Sequence, residues 1–143
     1  MISGTSKELL EEQVKPVVEQ FLAERGLKLA AEKTRITPID QGFDFLGWNV
    51  RKYGGKLLIK PSKKNVQTFY RKVKEIINKH KTIKQMDLVY LLNPILRGWA
   101  QYHSPVVAKM TYSRMEHLIF DALWQWSKRR HPKKNTGWIR KKY

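Results

Sequence analysis

The sequence predicts an α+β fold, mostly helical, in which a small piece with a β-hairpin precedes a bundle of three or four helices. Three observations carry this. Extended-type residues flank a Gly54-Gly55 turn before Pro61-Ser62. Apolar residues at helical spacing dominate after it. The hydrophobic share is 41% with no cysteine, so a packed core must form without disulfides or thiolate-bound zinc.

Thr5-Ser6-Lys7-Glu8 reads as a capping box that opens a helix over residues 6–25. Leu10, Val14, Val17 and Phe21 give it one apolar face, and Gly26 stops it. Pro16 sits inside and should kink or split the helix. Residues 27–36 read as extended, with Leu27 and Leu29 alternating against Lys28. Residues 43–50 read as one strand, Tyr53-Gly54-Gly55-Lys56 as a turn, and residues 56–60 as the return strand.

Pro61-Ser62 ends the hairpin, and Ser62 suits the N-cap of a helix over residues 63–80. Val66, Phe69, Tyr70, Val73, Ile76 and Ile77 form its buried stripe. Thr82 is expected to cap the next helix, which carries Leu88, Leu91 and Leu92. Asn93-Pro94 is an N-cap plus first-turn pair and predicts a break, with a fresh helix over residues 94–103. Ile95, Trp99 and Tyr102 should form its core face. A last helix over residues 111–130 buries Met115, Leu118, Ile119, Ala122 and Trp126. The tail, residues 131–143, is basic, with Trp138, Ile139 and Tyr143 as its large apolar groups. The boundary at Pro61-Ser62 divides the chain into residues 1–61 and residues 62–143.

The net charge is +17, and it is one-sided. Residues 1–50 hold six Lys/Arg and eight Asp/Glu, net −2; residues 51–143 hold 23 and four, net +19. Such a field calls for a polyanion or an anionic membrane, since without one it only repels itself. No apolar run is long enough for a membrane span, and no basic start followed by an apolar stretch marks a secretory signal. A cytoplasmic protein with no membrane partner is the expectation.

On the helix over residues 63–80, steps of 100° put Lys64, Arg71, Lys72 and Lys79 opposite the apolar stripe, diluted only by Glu75. Lys63 joins them at its start. The chain end adds Lys128, Arg129, Arg130, Lys133, Lys134, Arg140, Lys141 and Lys142 with no acid between. These side chains suit phosphates, not base edges. Arg97 falls opposite the Ile95/Trp99 face, facing either RNA phosphate or a surface ion-pair partner. Phe120 and Trp124, four apart, point away from the main buried face of their helix and want a second surface: another protein segment, RNA bases or a further helix. His80, His103, His117 and His131 show no ligand spacing, so no metal is assigned.

Four stretches in order resemble group II intron-encoded reverse transcriptase/maturases. Residues 26–36, Gly-Leu-Lys-Leu-Ala-Ala-Glu-Lys-Thr-Arg-Ile, are similar to the palm segment with motif D, Lys33 standing at the motif lysine. Phe43-Asp44-Phe45-Leu46-Gly47-Trp48 is similar to the primer-grip hairpin. Leu92-Asn93-Pro94-Ile95-Leu96-Arg97-Gly98-Trp99-Ala100-Gln101-Tyr102 matches the signature of the maturase-specific thumb. The basic end from Trp126 to Tyr143 resembles the close of that domain.

The resemblance implies a C-terminal fragment: a palm remnant over residues 1–61 and a helical thumb over residues 62–143. The family's Tyr-X-Asp-Asp turn would precede the match, and no Asp-Asp pair occurs in the chain. The two divalent metal ions of phosphoryl transfer would thus belong to the missing palm site, and this chain needs no cofactor of its own. Alone it is expected to be inactive as a polymerase.

Lys33 is then a phosphate-side lysine without a metal site to serve, or an ordinary surface lysine. Phe45 and Leu46 shape the primer grip or simply fill core, and Gly47 permits close backbone approach. The implied function is binding structured intron RNA to help it fold and splice, with a template–primer duplex as a further partner. The alternative is the C-terminal part of an RNA-directed DNA polymerase, active only with a separate fingers–palm portion. A degenerate fragment that does nothing is the third reading.

Overall fold

A computed structural model describes residues 1–143. The first helix opens at Ser6, whose Oγ accepts from the Leu9 N–H at 3.2 Å, so the cap lies one residue later than the capping-box reading placed it. The pKa of Glu8 is lowered from the ordinary carboxylate value because a backbone N–H and Ser6 hydrogen-bond its charged form. Pro16 does divide the helix. Leu9–Val14 takes the wider π-helical winding, and α1, Lys15–Ala23, resumes regular geometry with Pro16 in its first turn, where a missing N–H costs little. No residue of either segment is buried.

The expected extended stretch over residues 27–36 is irregular and contains a 3-10 turn, Ala31–Lys33. Alternation alone does not make a strand: no neighbouring strand is there to take its backbone hydrogen bonds.

The sheet is a three-stranded antiparallel meander, not a single hairpin. β1, Phe43–Phe45, pairs with β2, Trp48–Tyr53, which pairs with β3, Lys56–Pro61. The stretch read as one strand is broken at Leu46-Gly47, a two-residue turn with φ of 49° and 82°. Gly54-Gly55 closes the second hairpin with φ of 52° and 83°. Positive φ at both central residues suits the right-handed twist of paired strands. Leucine in the first of these turns hid it from the sequence reading. The register puts Phe43, Phe45, Trp48, Val50, Ile59 and Pro61 on one face.

α2, Lys63–Lys79, begins where Ser62 accepts from Asn65 N–H at 3.2 Å, as the sequence predicts. α3, Gln85–His103, departs twice from expectation. Lys84, not Thr82, stands at its N-cap without a side-chain bond, and Pro94 lies inside an unbroken helix. A mid-helix proline costs roughly 3 kcal/mol. Here Pro94 is on the exposed side, and Leu88, Leu92 and His103 are buried on either side of it, so packing holds the helix together. α4, Lys109–Arg130, is slightly longer than predicted. The tail also holds an unforeseen helix, α5, Thr136–Lys142, capped by Asn135 Oδ1 accepting from Trp138 N–H at 2.8 Å.

The core gathers around α2. Phe69, Val73 and Ile77 meet Leu88 and Leu92 of α3 and Met115 and Trp126 of α4. Ile139 of α5 is buried at its edge. Each such side chain contributes about 1.5–3 kcal/mol on leaving water. Outside α2–α5 and their joints, burial is sparse.

Candidate nucleic-acid interface

A buried polar joint fastens the sheet to the helices. The Trp48 indole N–H donates to His103 Nδ1 at 2.9 Å. His103 Nε2 and Asn65 Oδ1 are 3.0 Å apart, and the Trp99 indole N–H donates to the same Asn65 oxygen at 2.8 Å. His103 is fully buried, and burial pushes its pKa below the ordinary value. With Nδ1 accepting, the neutral ring must carry its proton on Nε2, donated to Asn65. Gly47 comes so close that a Cβ there would stand 2.8 Å from Asn65 Nδ2. Ser62 N–H donates to Gly47 O at 2.9 Å, and Val107 N–H to Ile59 O at 2.9 Å. These joints orient the hairpin on α2 and α3.

Tyr102, expected in the core, is 46% exposed. It stacks on Trp48, with ring centroids 5.3 Å apart, and its hydroxyl donates to Leu46 O. Phe45 and Leu46 are likewise exposed at the hairpin tip, which removes the core reading for both. Lys33 is exposed on its 3-10 turn.

Lys63, Lys64, Arg71, Lys72 and Lys79 are all exposed along α2. From Lys64 to Lys79 they run about 22 Å at 1.5 Å per residue. Arg97 is exposed on α3. The chain's four ion pairs are Lys7–Glu11, Lys15–Glu19, Arg25–Glu24 and His117–Asp121. No lysine or arginine beyond residue 25 has a carboxylate partner, so the ion-pair reading of Arg97 falls.

The end of α4 reaches α2: Arg129 donates to Asn78 Oδ1 at 3.2 Å. This places Arg129 beside the Lys79 end of the α2 stripe. Arg130 differs from the other candidates. Half-buried, it donates to Ile83 O and lies over the Trp126 ring at 4.7 Å, so packing occupies part of its guanidinium. Lys128 lies 5.4 Å from the Trp124 ring centre. Lys134 and Lys142 flank Trp138 at 5.4 and 5.0 Å. Lys133, Arg140 and Lys141 are exposed.

His131 Nε2 lies 2.9 Å from the Tyr143 hydroxyl, and its ring meets Trp138 edge-on. Desolvation first, then Lys142, Arg130 and Lys134, push its pKa down. A cleft of about 420 Å³ opens here, lined by Lys81, Thr82, Trp126, Arg129, Arg130 and His131. Sequence reading gave Lys81 no role, read Thr82 only as a helix cap, and did not foresee the Trp48–His103–Asn65–Trp99 joint. Hydrogen-bonded partners 34 to 55 residues apart in sequence carry no local pattern that joins them.

Phe120 and Trp124 stack nearly parallel, centroids 6.4 Å apart, and no helix of this chain covers Phe120, which is 61% exposed. Phe120 borders an apolar groove of about 400 Å³ between α3 and α4, floored by Phe69, Trp99 and Met115. No cluster of three or more His, Asp or Glu side chains that could hold a metal ion is formed. No helix is long and apolar enough to cross a membrane.

The family model described as "Group II intron, maturase-specific domain" matches residues 66–143. A "Maturase-like protein 1" of Euglena longa is 32% identical over 98 residues, covering 65% of this chain and 21% of the relative. Its counterpart in Euglena gracilis is 31% identical over 88 residues, covering 58% of this chain and 19% of the relative. The chain thus spans about a fifth of the length of these curated relatives.

Proposed function

Because the chain belongs to the group II intron maturase-specific domain family, we propose that it binds structured intron RNA and helps it reach the splicing-competent fold. One observation carries the reading: the 23 basic residues of the segment 51–143 stand without a carboxylate partner. Cations left unpaired in such number are a surface kept for phosphates. The α2 stripe of Lys63, Lys64, Arg71, Lys72 and Lys79, with Arg97, Lys128, Arg129, Lys133, Lys134, Arg140, Lys141 and Lys142, is that surface. It sets affinity and orientation more than sequence choice.

The test is RNA binding against salt. With roughly six to ten phosphates engaged, affinity falls by about 10³–10⁵ between 50 and 200 mM salt. Changing Lys64, Arg71, Lys72 and Lys79 to glutamine flattens that slope and leaves the melting temperature nearly unchanged, since all four are exposed. A variant with the original slope would move the interface off α2.

A second reading is favoured by the uncovered apolar side of the first helix, where Val17 and Phe21 are 67% and 53% exposed. In it, residues 1–61 are a palm remnant that packs on a separate fingers–palm portion. The helical part is then the thumb of an RNA-directed DNA polymerase holding a template–primer duplex. Mixing the chain with such a portion and assaying primer extension on RNA tests it. Extension by the mixture beyond that of either part supports the reading, and none refutes it.

A further inference from the structure

Within that RNA-binding reading, on which this inference rests, we propose that the cleft between the α2–α3 turn and the end of α4 is a pocket for one RNA backbone phosphate. Its wall holds Lys81, Arg129 and Arg130 with the Thr82 hydroxyl and His131, and no acidic residue lines it. None of these cations is in an ion pair. A phosphodiester carries acceptor oxygens and one negative charge, which this set of N–H and O–H donors matches.

The pocket is built, not merely basic. Trp126 is buried beneath it, held by its indole N–H donating to His80 O at 2.8 Å. Arg130 lies over that ring and is fixed by its bond to Ile83 O, which leaves other guanidinium N–H groups unspent. Arg129 is steadied by Asn78. Two separate pieces of chain, residues 78–83 and 126–131, are thereby preset around one space, so little side-chain entropy is lost when an anion enters. Such a site fixes the register of an RNA along the stripe of α2, which diffuse surface lysines do not.

His131 reports on occupancy. The charged groups around it are Arg129, Arg130 and Lys81 along the cleft, Lys134 in the following loop and Lys142 on α5, all positive, with the Tyr143 hydroxyl at 2.9 Å. A bound phosphate offsets those charges and favours the imidazolium. The His131 pKa therefore rises on binding, and affinity increases as pH falls through the interval between the unbound and bound values.

The experiment uses the whole chain in two measurements. Salt-dependent binding of an RNA duplex is compared for wild type, Lys81→Gln/Arg129→Gln and the α2 glutamine variant. The His131 ring resonances are followed by NMR as dimethyl phosphate, and separately the duplex, is added. Losing one phosphate contact lowers the log–log slope by about 0.9 and weakens binding roughly eightfold near 0.1 M salt. We expect that change in Lys81→Gln/Arg129→Gln, with its melting temperature kept, and ring shifts in wild type that the variant lacks.

An unchanged slope in this variant together with unmoved His131 resonances overturns the pocket, while loss of slope in the α2 variant keeps the wider reading alive. A wild type that binds no RNA ends both.

Discussion

Replacing Asn65 by alanine removes one acceptor and strands two donors. Asn65 Oδ1 takes the Trp99 indole N–H at 2.8 Å and the His103 ring nitrogen at 3.0 Å. A buried donor left without a partner costs about 1–3 kcal/mol. His103 is fully buried and bears the full penalty, whereas half-buried Trp99 regains some water. The two together come to roughly 2–4 kcal/mol, equivalent to a fall in Tm on the order of 10 °C for a chain of this size. Asn65→Asp keeps an acceptor for both donors and should lie between wild type and Asn65→Ala at neutral pH. Urea unfolding followed by tryptophan fluorescence reads both variants. If Asn65→Ala unfolds within about 0.5 kcal/mol of wild type, inside the range of ordinary surface changes, the joint does not hold the sheet.

The same joint sets a pH dependence. His103 has a folded pKa below its unfolded value, so above about pH 6.5 it is neutral in both states and costs nothing. Below that, the unfolded chain takes a proton the folded ring refuses, and stability falls toward the folded pKa with a slope approaching 1.4 kcal/mol per pH unit, roughly. A flat urea midpoint from pH 7.5 to 5.5 would contradict this. Gly47→Ala should cost about 1–3 kcal/mol, through its φ of 82° and the Asn65 contact. Gly54→Ala, with φ of 52° and nothing within 4 Å of a Cβ, should cost less, and equal losses in thermal melts would argue against the close approach. The exposed Val17, Phe21 and Leu27 should drive concentration-dependent association. Sedimentation should show it in wild type and its loss in Val17→Lys/Phe21→Lys; a strict monomer at high concentration would refute it.

The helical half was legible because its signals are local and repeat. The Ser62 cap needs one helix turn of context, and the Val66–Ile77 stripe and the Met115–Trp126 face only a few. Errors arose where tertiary packing outweighed local chemistry, as at Pro94, whose break is suppressed by buried residues on both sides. Others arose where a turn used an unusual residue, as at Leu46. The basic surface was legible in composition. Its cleft was not, because Lys81 reaches Arg129 and Arg130 only through the packing of Trp126 against His80. The His103 joint was invisible for the same reason, and a histidine without ligand spacing gave no hint that it would be buried.

The lack of carboxylate partners in the basic half bears on how this chain responds to its ionic surroundings. Uncompensated like charges on one folded surface repel, and unfolding moves them apart. Added salt screens that repulsion and should raise the melting temperature of the protein by itself. On the proposed reading, the same salt should weaken its binding to RNA. A polyanion that binds only the folded chain raises stability by mass action, most where the protein alone is weakest. If the chain binds RNA as proposed, salt and nucleic acid act as alternative counterions: each relieves the same electrostatic stress, and each makes the other less necessary.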